Sequence, residues 1–470
     1  MKLIMKIYKI SVLLFILSLA LFLTGSSGYG QSATGELKSP DSKYSACLPG
    51  SKNDVRVSSA HALTQALANA RPGDHIVLEN GNYAGDFIVS NSGTEDNPVV
   101  IRSASPSGAI IAGSLTLTGD FITVCQLFFK SEDGSLAYQC KIAGNDVSLV
   151  RCRFDRVRTS GNYANNAGNN SLLIGPSDGK RKKNIYVGYN EFLFRITKAD
   201  QFYDGGAIFI DTKGEGIPCG WLIERNRFAT DLAGSLKWSD NDAKGTLRSS
   251  GVRGIYVSTT PRLAKVDVPQ GWLTFAYNLF DNWEGHSGFY SKEKRMRITG
   301  NTWSGGLGGC RSRQGDEYEV FSNYFENNEM GLRVALKGFK LYGNIAVNSR
   351  ISLMCGHPDM GAKGDNPAVD HVLISNRGKL ELGFYNRPID PLLPVSNILI
   401  EDHRVSENST EIIMKVDNIT ITRPEGVKMA PDSELLFHAN PSVENIEMAQ
   451  KLLPEQVGPD AKVRIKGLEQ

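Results

Sequence analysis

Arg295-Met296-Arg297-Ile298-Thr299-Gly300-Asn301, Glu317-Tyr318-Glu319-Val320-Phe321-Ser322-Asn323 and Gly338-Phe339-Lys340-Leu341-Tyr342-Gly343-Asn344 are one motif written three times. Their terminal asparagines are 22 and then 21 residues apart, and the apolar centres Ile298, Val320 and Leu341 recur in step. So short a period suits one coil of a parallel β-helix better than most helical repeats. Residues one coil apart then occupy adjacent parallel strands, about 4.8 Å from each other. An Asn-x-aromatic signature carries the repeat backwards through Asn190-Glu191-Phe192, Asn226-Arg227-Phe228 and Asn278-Leu279-Phe280, and forwards through Asn301-Thr302-Trp303 and Asn323-Tyr324-Phe325. Asparagines stacked at one turn of successive coils tolerate left-handed backbone angles and hydrogen-bond along the stack, so they read as structural.

The same period sets Lys292, in Phe289-Tyr290-Ser291-Lys292, beside Arg313, in Cys310-Arg311-Ser312-Arg313, 21 residues later. Strand alternation sends Phe289, Ser291, Cys310, Ser312, Leu332 and Val334 inward, and Tyr290, Lys292, Arg311, Arg313 and Arg333 outward. A coil interior does not hold unpaired cations, so the basic set faces out. A solvated sheet face is the plain reading of such a strip. A cluster of one sign without interleaved carboxylates repels itself, however, and suits recognition of an anion.

Residues 1–31 read as an export signal: Lys2, Lys6 and Lys9 precede an apolar run over 10–22 and a small, polar stretch from 25 to 31, with cleavage expected near Gln31. The run is short for a membrane span, no cysteine follows it closely, and no later segment is expected to insert stably in a bilayer. Without that segment 49 basic residues face 50 acidic ones, about −1, which argues against general nucleic-acid binding. The seven cysteines show no CxxC or other zinc spacing, and their odd number leaves at least one thiol over. Cys310 reads as coil filling. Residues 32–55 form a polar lead, and 56–470 one β-helix domain, an elongated repeat that absorbs the remaining length. Ser58-Ser59-Ala60-His61-Ala62-Leu63 opens a short amphipathic helix ending before Arg71-Pro72-Gly73-Asp74, placed to cover the open first coil. Strand-like runs follow at 75–78, 99–102, 110–111, 115–117 and 121–124, and later coils at 398–400 and 419–421. Irregular spacing between Asn190 and Asn278 implies inserted loops near 229–270, notably 229–252 and 259–270, of the kind that wall a groove. A terminal helix is expected over 442–453, then a polar tail.

Residues 277–344 resemble polysaccharide lyase family 6, the alginate lyase and chondroitinase B family. The resemblance rests on Asn278-Leu279-Phe280, Ser291-Lys292, Asn301-Thr302-Trp303 and Arg313-Gln314-Gly315, in matching order, with support from 66–113 through Pro72-Gly73-Asp74 and Gly81-Asn82-Tyr83. Residues 195–270 match poorly. The resemblance implies an all-β, right-handed parallel β-helix (a solenoid), here with an N-terminal capping helix, and a lyase in which Lys292 is the general base and Arg313 assists. Removing the weakly acidic C5 proton of a 4-linked uronate needs a base and a cation on the neighbouring carboxylate. A lysine acts as base only from its neutral form, which nearby cations favour. Tyr290 or a water would protonate the departing O4.

Two departures stand out. The family holds calcium with acidic residues five and seven positions before the lysine; here these are Ser287 and Gly285, with Glu284 and His286 nearby but out of register. No cofactor is therefore expected, and Arg311, Arg333 and His286 are the candidates to take over the carboxylate. Gln314 replaces the family's histidine and leaves the substrate contacts open. The expected substrate is alginate, mannuronate-rich blocks ahead of guluronate, for a monomeric, periplasmic or secreted enzyme. Dermatan sulfate would need further cations, such as Arg295 and Arg297, whose strand pairs elsewhere. A glycoside hydrolase would need paired carboxylates from among Asp204, Asp211 and Asp316-Glu317, and none repeats beside the strip. A non-catalytic uronate-binding protein would use the same strip. Cys355 and His357 lack further metal ligands, and the Asn408 and Asn418 glycosylation patterns carry little weight.

Overall fold

A computed structural model describes residues 53–131, 136–158, 170–175, 182–196, 204–212, 220–232, 251–258, 272–293, 295–312, 318–335, 338–355, 368–369, 372–384, 395–396, 398–401, 419–422, 435–438 and 448–460. Strands in all three sheets pair in parallel, and each successive neighbour is one coil further on. Among the described residues, one sheet has 14 strands, from Asp54–Val57 to Leu435–His438. The other long sheet has 19, because strands such as Ala109–Leu117 and Ile345–Cys355 run round a corner and join two series that are separate in the middle coils. Each middle coil therefore has three strands, and the chain is a parallel β-helix.

Two ladders fill one corner. Along Asn190, Asn226, Asn278, Asn301, Asn323, Asn344 and Asn376, each Oδ1 accepts the backbone N–H and the Nδ2–H of the asparagine before it, at 2.8–3.1 Å. All seven side chains are fully buried apart from these partners, so every bond satisfies a group that would otherwise be costly to desolvate. Asn376 is a rung that the Asn-x-aromatic signature misses, since Gly378 follows where an aromatic would stand. The left-handed angles do not fall on the asparagines, as expected from sequence, but on the residues before them: Tyr189, Arg225, Tyr277, Gly300, Ser322, Gly343 and Ser375 have φ between 52° and 62°. Two residues past five of the rungs, Phe192, Phe228, Phe280, Trp303 and Phe325 continue a stack begun by Phe129 and Phe154, with centroids 4.6–5.1 Å apart.

The helix Ala60–Ala68 forms with Ser59 as its cap, whose Oγ accepts the Ala62 N–H at 3.2 Å. Leu63 and Leu67 bury against the first coil. The polar lead ends earlier than expected, because Asp54–Val57 pairs with His75–Leu78 as the first strand of its sheet. Residues 229–232 and 251–252, assigned above to a loop, belong to strands Arg227–Leu232 and Gly251–Ser258. The inserted residues between them, those at 259–270, the export segment, most of the polar lead and 442–447 lie outside the described residues. Residues 448–453 are not helical. They run back over the coils, where Ala449 N–H bonds Gly343 O, Leu452 N–H bonds Thr302 Oγ1 and Gly458 N–H bonds Arg225 O. A 3₁₀ turn, Pro454–Gln456, sits within this return. Among the described residues no helix is long and apolar enough to cross a membrane.

Candidate active site

Four neighbouring strands carry the basic strip: Gly251–Ser258, Ser287–Ser291, Cys310–Ser312 and Leu332–Ala335. Register aligns Ile255, Phe289, Cys310 and Leu332 in one column, all at most 2% exposed. Burial pushes the Cys310 thiol far up, which suits filling and not nucleophilic work. The next column outward reads Tyr256, Tyr290, Arg311, Arg333. At the start of the Ser287–Ser291 strand only glycine fits at 288, because a Cβ there would stand 2.4 Å from Trp303 Nε1 in the aromatic stack.

The outward column is not a solvated sheet face. Tyr290 is fully buried, and Arg311 and Arg333 are only 7% and 8% exposed. Tyr290 therefore forms the floor of the strip; the sequence reading as a partner open to substrate is corrected, since no solvent reaches its ring. The Arg311 guanidinium lies 5.7 Å from the Tyr290 ring centre, and His286 packs edge-on to the same ring at 5.6 Å. Arg311 Nη1 donates to His286 Nε2 at 3.0 Å, while His286 Nδ1 meets Ser287 Oγ at 2.8 Å. A guanidinium can only donate. Nε2 must therefore accept, the ring proton sits on Nδ1, and the imidazole is neutral. His286 thus orients Arg311 without adding positive charge, unlike its expected role beside the carboxylate.

Arg253 was missed from sequence. Register sets it beside Ser287, and its guanidinium lies 4.4 Å from the Tyr256 ring centre and 4.8 Å from that of Tyr290. It is 8% exposed. Tyr256 was missed as well; it is half-buried, edge-on to Phe209 at 5.1 Å and to Tyr290 at 5.3 Å. Both lie 34 residues before their strand partners, so the 21–22 residue period gave no signal.

Lys292 follows its strand directly and is half-buried, its N–H bonded to Val257 O at 3.0 Å. Its Nζ is 5.4 Å from the Tyr256 ring centre. The next residue, Glu293, is 2% exposed and ties the turn down: its N–H bonds Ser291 Oγ, its carbonyl accepts from Tyr318 Oη at 2.7 Å, and its carboxylate accepts from Thr212 Oγ1 at 2.5 Å. Arg313 and Gln314 lie outside the described residues. One acid does share the Lys292 column, contrary to expectation. Asp211 pairs with Ser258, and the residue before Ser258, Val257, pairs with Ser291, which directly precedes Lys292; continuing that register sets Asp211 two coils from Lys292, about 10 Å along the stack. Arg297 lies on the other long sheet, bonded to Glu319 at 2.8 Å, and contributes nothing to the strip.

The residues at the positions of the family's metal ligands do not fit calcium. Gly285 has no side chain, the buried Ser287 hydroxyl is engaged by His286, and the Arg311 guanidinium flanks the position; hard cations need several oxygen ligands, mostly anionic. A cavity of about 420 Å³ lies elsewhere, lined by Tyr277, Phe321, Tyr342 and Leu452 among others, and includes none of the strip residues.

Comparison with known proteins falls on the family that the motifs resemble. The Chondroitinase B family model matches residues 57–163, in the first coils. Similar solved structures include a PL6 family polysaccharide lyase, Pedsa3628 from Pseudopedobacter saltans, at 15% identity and TM-score 0.62, covering 88% of this chain and 100% of that one. The PL6 family alginate lyase AlyGC matches at 16% identity and TM-score 0.60 over 86% of this chain, which spans 55% of that protein. A mannuronic acid specific polysaccharide family 6 lyase from human gut microbiota matches at 16% identity and TM-score 0.57, covering 82% and 87% of the two chains. No curated protein matches in sequence. The chain thus has the parallel β-helix found in polysaccharide lyases of family 6.

Proposed function

We propose that the protein is an exported lyase that depolymerises 4-linked uronate polysaccharide, alginate foremost, by β-elimination without calcium. The observation that carries this is the setting of Lys292: a half-buried amine at the edge of a buried cationic cluster, Arg253, Arg311 and Arg333, built on aromatic faces. Lys292 takes the C5 proton. Arg311, oriented by His286, holds the carboxylate on which negative charge builds, with Arg313 assisting and Arg333 extending the cationic wall. Donors fixed before reaction in a water-poor site stabilise that charge far more than they would in bulk water. A calcium ion would compete with the guanidinium for the same carboxylate.

Similarity to lyases described as alginate lyases and as mannuronic acid specific supports this substrate. The Arg297–Glu319 pair counts against dermatan sulfate, because that guanidinium is already neutralised on another sheet. Hydrolysis would call for two carboxylates facing the substrate. Asp211 has no such partner in Glu293, whose carboxylate is buried against Thr212. Cys125 is disulfide-bonded, which supports an oxidising, extracytoplasmic setting.

The test is ultraviolet absorbance of the mature protein with mannuronate-rich alginate, with added calcium and separately with excess chelator. Equal growth of the unsaturated-uronate signal in both is the expected result. A signal with calcium alone would overturn calcium independence. No signal there, on guluronate-rich alginate or on dermatan sulfate would leave a binding protein.

A further inference from the structure

The geometry points to Tyr256 as the proton donor to the leaving O4, completing a Lys292–Tyr256 proton circuit; this rests on the lyase reading above. Two phenols lie in the strip, and exposure separates them. Tyr290 is sealed beneath Arg311, His286 and Arg253, whereas Tyr256 is half-buried on the neighbouring coil. Arg253 lies 4.4 Å from its ring centre, and Lys292 Nζ, which becomes an ammonium on taking the C5 proton, lies 5.4 Å from it. Both stabilise the negative charge a phenol acquires on giving up its proton.

The step balances without a further reagent. Neutral Lys292 takes the proton from C5, the C5–H electrons form the C4–C5 double bond, the C4–O4 bond breaks, and O4 takes the Tyr256 proton. The products are the unsaturated sugar, a new reducing-end hydroxyl on C1 of the departing sugar (the former bridging O4), lysine ammonium and tyrosine phenolate. Transfer of one proton from the ammonium to the adjacent phenolate restores both residues. The net change is one proton moved from C5 to O4.

This arrangement also selects the sugar. Lys292 and Tyr256 project from the same outward face, so base and acid meet one side of the ring. In β-D-mannuronate the C5 hydrogen and O4 lie on the same side, whereas in α-L-guluronate they lie on opposite sides. A one-sided pair carries out the syn elimination and therefore cleaves mannuronate blocks.

Tyr256→Phe keeps the ring, so its packing against Phe209, Tyr290 and Arg253 survives, which far-ultraviolet circular dichroism checks. On polymannuronate kcat is expected to fall about 10²–10⁴-fold, the usual range for a lost general acid, with KM within a few-fold. On a mannuronate bearing 4-nitrophenol at C4, a leaving group that needs no proton, the loss should shrink below about 10-fold. Lys292→Ala should lose both substrates. Wild-type rates for Tyr256→Phe on polymannuronate, or equal losses on both substrates, would overturn the proposal. If Lys292→Ala stays active while Tyr256→Phe shows the leaving-group dependence, the lysine assignment fails and the tyrosine stands. If the wild type forms no unsaturated product from either substrate, both fail.

Discussion

Replacing Asn301 with alanine removes one rung from the asparagine ladder, and its cost follows from the bonds lost. Asn301 Oδ1 accepts the Asn278 backbone N–H at 2.9 Å and the Asn278 Nδ2–H at 3.0 Å. Its Nδ2 donates to Phe275 O at 2.9 Å, Thr299 O at 3.1 Å and Asn323 Oδ1 at 3.0 Å. In Asn301→Ala the Asn278 N–H is left buried with no acceptor, a penalty of about 1–3 kcal/mol. Asn278 Nδ2 keeps Ile223 O and Ala276 O, so the remaining bonds cost only their net worth, roughly 1 kcal/mol each at most. The sum is about 3–5 kcal/mol, or a fall in Tm of roughly 5–9 °C for a cooperative unit of about 270 residues, the number described. Asn301→Asp should be worse near neutral pH, because an acceptor would then face three acceptor oxygens. The assay is denaturant unfolding followed by circular dichroism and tryptophan fluorescence together, since coils of a solenoid can open in parts. A loss below about 1 kcal/mol for Asn301→Ala would refute the reasoning: the ladder would then decorate the fold without holding it.

Lys292→Ala should lower turnover by about 10²–10⁴-fold while oligomannuronate binding by calorimetry changes only a few-fold; an active variant sinks the base assignment. Arg311→Ala should lower kcat by about 10²–10³-fold, as for loss of one fixed donor to a developing anion; unchanged rates would remove it from the carboxylate. His286 should be the neutral Nδ1–H tautomer at pH 7, read from ring ¹⁵N shifts, and a signal for Nε2–H would break the Arg311–His286 geometry. Burial raises the Cys152 thiol to about 12 and pushes the Cys140 and Cys310 thiols well up too. These three free thiols should resist iodoacetamide at pH 8 until the chain unfolds. Because their folded values are raised, the stability they supply is complete below about pH 9 and is lost above it, as the unfolded chain ionises first. Labelling of native protein at any of the three would contradict their packing.

The coils of constant length were legible in the sequence, and those of variable length were not. Ile298, Val320 and Leu341 fall in register because 22- and 21-residue coils repeat the same three strands, so period and alternation together gave the fold and the outward column Tyr290, Arg311, Arg333. Arg253, Tyr256 and Asp211 join that strip across coils of 34 and 47 residues, where no period survives and only strand pairing brings them in. Burial was equally hidden. Alternation gives direction and not depth, so Tyr290 looked available to substrate although it is covered. The helix Ala60–Ala68 was legible from its serine cap and apolar spacing, whereas the return of 448–460 over earlier coils depends on contacts with Gly343, Thr302 and Arg225, far away in sequence.

Depth also explains why the cations can persist in such a place. Three guanidiniums at 7–8% exposure would be expensive if they relied on solvent or on one another. Here Arg253 and Arg311 lie against the Tyr256 and Tyr290 rings, whose negative faces offset part of that cost, and Arg311 donates to an imidazole that has to be neutral. An acidic partner in the position of His286 would hold Arg311 just as well but would cancel the charge that a uronate must meet. A neutral acceptor at this position fixes the guanidinium without itself cancelling its charge. In the proposed reaction this difference matters most as C5 loses its proton, because the carboxylate then gains charge while His286 and the rings offer no competing anion. The same reasoning predicts that His286→Asp, with Arg311 still in place, should lower kcat more than His286→Gln, which keeps a neutral acceptor. If the two variants proved equally active, neutrality at this position would have no bearing on the chemistry.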